Sequence, residues 1–139
     1  MPGDNLFVGM DASASGMAAE RLRMTAAAEN LANAGSTRPL ANGLPYARQR
    51  VLFAQALDER GRATGRVATE VVDSPRYIER YEPDHPDADP VTGIVVEADI
   101  DPILELTDLM VASRAYEANA NAAKGLMRMH QQALTLGDV

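Results

Sequence analysis

Hydrophobic positions at the two ends of the chain repeat in alternating steps of three and four residues. This spacing selects eight positions between residues 4 and 34 and nine between residues 101 and 136, and seven in each set are apolar. Side chains so spaced share one face of a helix. The pattern predicts two long amphipathic helices. Their stripes are Phe7, Met10, Ala14, Met17, Arg21, Met24, Ala28 and Leu31 in the first, and Leu106, Leu109, Ser113, Tyr116, Ala120, Ala123, Met127, His130 and Leu134 in the second.

Taken together, the two stripes hold more alanine and methionine than leucine and isoleucine. Small side chains let helices approach closely, but each buries little area, and burial is worth roughly 25 cal/mol per Å² of apolar surface. Such stripes are weak in isolation, and they suit a protein in which many copies pack together.

Capping residues mark the predicted ends of both helices. Asp4 is a candidate N-cap for the first helix, and residues 30–35 (NLANAG) are typical of its C-terminal end. The second helix opens at Asp101 and Pro102, a cap followed by proline at the first helical position, and it closes near Gly137.

Between the helices, short runs alternate apolar and polar residues, as half-buried strands do. They are separated by loops rich in proline and glycine. The predicted strands are 46–57, 66–72, 75–81 and 93–96, and the predicted loops are 35–45 and 83–90.

These elements give an α+β fold class. We expect an N-terminal axial helix at 1–34, a loop and small β-rich domain at 35–100, and a C-terminal axial helix at 101–139. The two helices are expected to pack as a coiled-coil-like pair.

Composition argues against several classes of function. The net charge of −7 and the pI near 4.7 argue against nucleic-acid binding, which needs a basic surface. The chain has no cysteine, so disulfides and thiolate chemistry are excluded. The N-terminus has no pattern of a cleavable signal peptide, and no run reaches the 18 apolar residues of a membrane span, so membrane insertion is not expected.

Candidate chemistry is sparse. His85 lies among Asp84, Asp87 and Asp89, but the spacing does not match a calcium loop, and solvated charge in a proline-stiffened loop explains the segment equally well. Neither histidine has a recognisable arrangement with a serine nucleophile, and no glycine-rich phosphate loop occurs. We therefore expect no enzyme, no cofactor and no metal site.

Other features keep two interpretations open. The chain has twelve arginines and a single lysine, and eight of the arginines fall between residues 38 and 80. These arginines form either a contact surface or a solvated strand face. Tyr116 and Glu117, beside Arg114, act between subunits or form a packed tyrosine and a surface ion pair. Gly16 and Gly125 mark either close helix approach or tolerated surface glycines.

Several motifs resemble the bacterial flagellar axial family of rod and hook proteins. Residues 21–24 (RLRM) and 29–34 (ENLANA) are similar to its N-terminal signature, and residues 113–119 (SRAYEAN) to its second helix. Residues 46–53 (YARQRVLF) and 83–89 (PDHPDAD) resemble the proximal rod subunits within that family. Residues 93–102 depart from the family pattern, although Asp101 can cap the helix as asparagine would.

The resemblance implies a structural subunit of the proximal rod, which polymerises helically and transmits motor torque. Expected partners are further copies of the chain, other rod proteins, the basal-body rings, the export gate and the flagellar type III export apparatus, which exports subunits without a cleavable signal peptide to the periplasm-spanning rod. The expected packing residues are Met17, Met24, Asn30, Leu31, Asn33, Leu106, Leu109, Tyr116, Glu117, Asn119, Met127 and Leu134. The alternative is a self-associating helical adaptor with no flagellar role.

Overall fold

The computed structural model describes the backbone of residues 2–137 and the side chains of residues 7–136. Its elements follow the order α1 (Pro2–Ala32), β1 (Gln49–Leu57), β2 (Ala63–Asp73), β3 (Tyr77–Tyr81), β4 (Ile94–Ala98) and α2 (Pro102–Gly137). The α+β class is confirmed, with a long helix on each side of a β-rich middle.

The two helix starts differ in how well the sequence predicts them. At α2, Asp101 Oδ1 accepts hydrogen bonds from the backbone N–H groups of Ile103 (2.8 Å) and Leu104 (3.4 Å), so the predicted cap is confirmed. At α1, the helix begins at Pro2, and the prediction that Asp4 caps it is wrong. Proline is favoured in the first turn because its missing N–H would have no helical partner there.

The β-rich middle consists of two separate antiparallel pairs, β1 with β2 and β3 with β4. The β1–β2 hairpin turns at Asp58, whose Oδ1 accepts the N–H groups of Arg60 (2.8 Å) and Arg62 (2.9 Å). These bonds lower the pKa of Asp58, and the largest effect comes from Arg62. Gly61 completes the turn with φ of 72°, in the left-handed region that favours glycine.

The buried apolar core is small and is made mostly of alanine. Its members are Ala19, Ala26 and Ala27 of α1, Val95 and Ala98 of β4, Ile100 just before α2, and Ala112 of α2. Alanine buries little area, so this core contributes modest hydrophobic stabilisation for a chain of this length.

Candidate assembly site

A buried polar cluster joins the end of α1 to the start of β1. Asn30 is 1% exposed, and its side-chain amide makes four hydrogen bonds. Its Nδ2 donates to the carbonyl of Gln49 (2.9 Å) and to Glu105 Oε2 (3.0 Å). Its Oδ1 accepts from the N–H of Gln49 (2.8 Å) and from the hydroxyl of Tyr46 (3.0 Å). Every donor and acceptor of this amide is therefore engaged.

Glu105 brings the first turn of α2 into the same cluster. Its side chain is 2% exposed, and Oε1 accepts a hydrogen bond from Arg48 Nε at 2.6 Å. A buried carboxylate is costly unless it is paired and hydrogen-bonded, and Arg48 and Asn30 supply both conditions. We call Asn30, Tyr46, Arg48, Gln49 and Glu105 the hub.

Tyr46 is half-buried, and its environment affects its ionisation. Burial raises the pKa of the Tyr46 phenol above its usual value, and the negative charges of Glu29, Asp73 and Glu105 raise it further. The neutral phenol is the form that donates to Asn30. The hub is therefore built for a protonated tyrosine.

Sequence reasoning found one hub residue and missed the others. Asn30 stood out through the family motif at 29–34. Tyr46, Arg48 and Gln49 lie in the motif at 46–53 but were given no packing role, and Glu105 read as an ordinary residue of a helix. The available signal was an acidic residue in the first turn of α2, within an otherwise apolar run. Its partner lies 75 positions away in the chain, so local pattern could not identify it.

Beyond the hub, α1 and α2 run antiparallel along a seam of small and polar residues. Asn30 meets Glu105, Arg23 pairs with Asp108, and a Cβ on Gly16 would lie 2.9 Å from Asn119 Nδ2. Pairing with Asp108 raises the pKa of Arg23. The α2 side of the seam has a spacing of seven residues, with Glu105, Ala112, Asn119 and Leu126.

The hydrophobic stripes predicted from the sequence lie beside this seam instead of forming it. In α1 the stripe positions alternate between exposed residues, such as Phe7, and half-buried ones, such as Met10. A search for apolar residues does not detect the glycine, asparagine and charged positions of this seam. Close approach at Gly16 explains why α1 uses small residues there, while a Cβ on Gly125 would meet nothing within 4 Å.

Where the stripes of the two helices adjoin, they line shallow grooves. Met127 and His130 of α2 line one groove of about 190 Å³ with Phe7 and Met10 of α1. Tyr116 lines a second groove of similar volume, with Met17 among its α1 residues. The stripes of the two helices therefore adjoin at two places along the pair, and both places are partly open.

Much of this surface is exposed in a single chain. Phe7 is 67% exposed and Leu134 is 58% exposed, and both lie far from the hub. Exposed apolar patches on this scale are typical of protein interaction surfaces. The exposed large apolar residues of the two helices are Phe7, Val8, Ile103, Leu104, Leu106, Met110, Val111, Tyr116, Met127, Met129, Leu134 and Leu136.

The remaining predicted packing residues fall into two groups. Half-buried side chains are those of Met17, Met24, Leu31, Asn33, Leu109 and Asn119, and exposed ones are those of Leu106, Tyr116, Glu117, Met127 and Leu134. Asn33 Nδ2 donates only to the carbonyl of Glu29 in its own helix (2.8 Å). Among the described residues, Glu117 and Arg114 form no ion pair with each other.

In the loop after β3, turn-forming hydrogen bonds occupy three of the residues considered for metal binding. His85 Nδ1 accepts the N–H of Asp87, whose Oδ2 accepts the hydroxyl of Thr37 (2.7 Å). Asp89 Oδ1 accepts from the backbone of Val91 and Thr92, which lowers the pKa of Asp89. Over the described part of the chain, no three His, Asp or Glu side chains are grouped to hold a metal.

Neither described helix combines the length and apolarity needed to cross a membrane. The structure thus offers a polar hub, a close helix seam and a long exposed apolar face, an arrangement suited to assembly.

Comparison with known proteins decides the family. The chain is 38% identical over 136 residues to the flagellar basal-body rod protein FlgC of Salmonella typhimurium (strain LT2), and the match covers 96% of both chains. It is 32% identical to FlgC of Bacillus subtilis (strain 168) and 30% identical to FlgC of Borreliella burgdorferi, with 94% of this chain and 97% of the relative covered in each case. The chain belongs to the FlgC family.

A profile for the flagellar basal body rod FlgEFG protein C-terminal region also matches, over residues 92–136. That span contains β4 and nearly all of α2, so the α2 half of the seam carries the wider family signature. As a FlgC protein, the chain is a structural subunit of the flagellar basal-body rod, where it assembles with other rod proteins.

Proposed function

We propose that this FlgC chain polymerises helically through the exposed apolar face of its helix pair, and that the resulting rod transmits motor torque. The observation that carries the proposal is the number of exposed apolar residues on the helices, at Phe7 and Val8 on α1 and from Ile103 to Leu136 on α2. A lone chain gains nothing from exposing them, whereas a neighbour that covers them gains roughly 25 cal/mol per Å² of buried apolar area.

The hub has a part in this role. It ties α1, β1 and α2 together at one end of the helix pair through fully satisfied hydrogen bonds. A torque-bearing subunit needs its outer part fixed to its inner part, and a satisfied buried network rigidifies such a junction. We propose that residues 1–34 and 101–139 form the wall of the rod, while residues 35–100 face outward toward neighbouring subunits or the surrounding rings.

We further propose that the chain reaches the rod through the flagellar type III export apparatus, after contact with the export gate. The small alanine core supports this route, because a chain with little buried apolar area unfolds at low cost. The role is mechanical, and it requires no catalytic residue and no cofactor.

The test is a charge placed on the exposed helix face. Leu134→Asp should abolish rod assembly while the monomer still folds, because Leu134 is mostly exposed in the free chain. Gln132→Asp adds the same charge at an exposed polar position of α2 and should assemble. Leu109→Asp should also abolish assembly, but Leu109 is half-buried, so folding suffers as well.

The measurement is swimming motility and the recovery of basal bodies from a strain whose own FlgC gene is replaced by each variant. Normal motility with Leu134→Asp and Leu109→Asp would sink the proposal. Loss of motility with Gln132→Asp as well would show that charge anywhere on α2 is harmful, and would remove the argument for this face.

A further inference from the structure

Strand β1 has an edge whose hydrogen-bonding groups point away from β2. The start of this edge is Gln49, because its N–H and its carbonyl are both bonded to the Asn30 amide instead of to β2. In an antiparallel pair, outward and inward positions alternate. The next outward positions are therefore Val51, Phe53 and Gln55.

The opposite strand supports this assignment. Val67 is directly across from Gln55, and its N–H donates to Ser15 Oγ on α1 at 3.1 Å, so Val67 also points out of the hairpin. The outer edge of β2 thus has a side-chain partner at this point. The backbone groups of Val51, Phe53 and Gln55 have no hydrogen-bond partner among the described residues.

Strand β3 carries a second free edge. The outer edge of its partner β4 is covered, because Ala98 N–H donates to the carbonyl of Ser36 (3.0 Å) and Ile94 accepts from Asp89 N–H (2.9 Å). Ala98 lies across from Tyr77 and Ile94 across from Tyr81.

The outward positions of β3 are therefore Tyr77, Glu79 and Tyr81, and no described residue bonds to their backbone groups. Tyr81 is 72% exposed. The two free edges each offer three outward residues in a row.

The chain segments that contain the two edges also differ in charge. Residues 46–72, which contain β1, hold five arginines against three acidic residues. Residues 73–100, which contain β3, hold two arginines against eight acidic residues. Arg50 beside the first edge and Glu79 on the second are exposed, and neither has an ion-pair partner in the described part of the chain.

We propose that the free β1 edge of one copy pairs with the free β3 edge of a second copy. An exposed strand edge is a template for another strand, and opposite charge favours pairing between unlike edges over pairing between like ones. Because the two edges are different surfaces of one chain, the contact is heterologous and repeats along an open polymer. The inference rests on the proposed polymerisation and adds a specific contact to it.

The test removes one outward N–H from each edge of the full-length protein. Phe53→Pro and Glu79→Pro each delete a donor that does not serve the chain's own ladder, and proline is tolerated on an edge strand when its position faces solvent. Phe53→Ala and Glu79→Ala keep the N–H groups and serve as matched controls. Circular dichroism checks that each variant folds, and sedimentation velocity over a wide concentration range measures association.

We expect the unsubstituted chain and the alanine controls to form an open series of oligomers, and each proline variant alone to associate more weakly, because it keeps the apolar helix face but lacks one strand edge. An equimolar mixture of the two proline variants retains one intact edge of each kind, so it should contain more dimer than either variant forms alone. Association of Glu79→Pro alone as strong as that of the unsubstituted chain would overturn the inference. An unsubstituted chain that stays monomeric, or equal loss in the alanine controls, would also overturn it.

A second measurement avoids proline. Arg50→Glu and Glu79→Arg should each weaken association, and the double variant should recover it; no recovery would contradict the charge argument. Failure of the inference is distinguishable from failure of the proposed function. Normal rods built from Phe53→Pro would reject the edge contact alone, whereas an unsubstituted chain that pairs through its edges but never enters rods would reject the function.

Discussion

At the scale of single residues, Asn30 has the largest structural role in the chain. One amide satisfies the N–H and carbonyl of Gln49, the hydroxyl of Tyr46 and one oxygen of Glu105. Three elements that are distant in the sequence are therefore joined by one side chain that makes four hydrogen bonds. No other described residue joins α1, β1 and α2 in this way.

Asn30→Ala should lower the free energy of unfolding by about 3 kcal/mol, because it leaves buried polar groups without partners. Urea denaturation followed by helical circular dichroism measures the change. Asn33→Ala is the matched control, since the Asn33 amide donates only within its own helix, and it should cost less than about 1 kcal/mol. Equal losses in the two variants would contradict the hub.

The ionisation of Tyr46 makes the free energy of unfolding depend on pH in the alkaline range. Its pKa is raised in the folded chain, first by burial and then by nearby carboxylates. As pH rises, the unfolded chain therefore loses the phenol proton first. The contribution of Tyr46 is complete below its unfolded pKa of about 10 and is lost as pH rises through the higher folded pKa.

Tyr46→Phe should cost about 1 kcal/mol at neutral pH, through the lost hydrogen bond to Asn30, and should make the decline of stability above about pH 10 shallower. Thermal unfolding measured across the alkaline range tests both effects. Tyr81→Phe removes an exposed phenol and should leave the decline as it is. An unchanged decline in Tyr46→Phe would show that the phenol is not what limits alkaline stability.

At the scale of elements, the helix pair depends on close approach as much as on apolar burial. Seam positions are occupied by glycine, asparagine and charged residues together with Ala112 and Leu126, while the predicted apolar stripes lie to the side. This division keeps the stripes available for neighbouring subunits. The pair is held within the chain by polar and steric fit and, under the proposed function, between chains by apolar contact.

Gly125→Ala should raise the free energy of unfolding by up to about 1 kcal/mol, because alanine favours helix and its Cβ would meet open space. Gly16→Ala should fall short of that gain, because its Cβ would lie 2.9 Å from the Asn119 amide. In an Asn119→Ala background this close contact is absent, so Gly16→Ala should there raise the free energy of unfolding by as much as Gly125→Ala does. Thermal unfolding of the four variants is the measurement, and identical gains for both glycines would contradict close approach.

At the scale of the whole molecule, order is expected to decline with distance from the hub. On the described helices, fully buried side chains occur between Ser13 and Asn30 and between Glu105 and Ala112, and not beyond Ala112. Exposed apolar residues occur in both halves of the helix pair, from Ile103 beside the hub to Leu136 at the far end. Burial thus anchors the chain at the hub end and leaves the far half open.

Hydrogen exchange on the monomer at low concentration should reveal this gradient. Exchange should be slowest in residues 26–30 and 105–112 and fastest in residues 126–136, because protection follows burial and local stability. Addition of neighbouring subunits should slow exchange in the open half. Strong and uniform protection along both helices of the monomer would instead indicate a self-sufficient bundle, and would contradict the anchored arrangement.

The sequence alone determined the elements that depend on nearby residues. The helices follow from three- and four-residue spacing, the start of α2 from Asp101 and Pro102, and the strands of the middle segment from alternation of apolar and polar residues. These signals act over a few residues, so they can be read along the chain. Family motifs supplied the rod function, which no single pattern would have given.

Only the tertiary structure decided the contacts between distant parts of the chain. The pairing of Asn30 with Glu105, the fit of Gly16 against Asn119 and the free edges of β1 and β3 all depend on how elements meet in space. A buried asparagine and a solvated one have the same local pattern, and so do a paired strand edge and an open one. Their roles are set by partners far away in the sequence, which is why periodicity predicted the helices but not the seam that joins them.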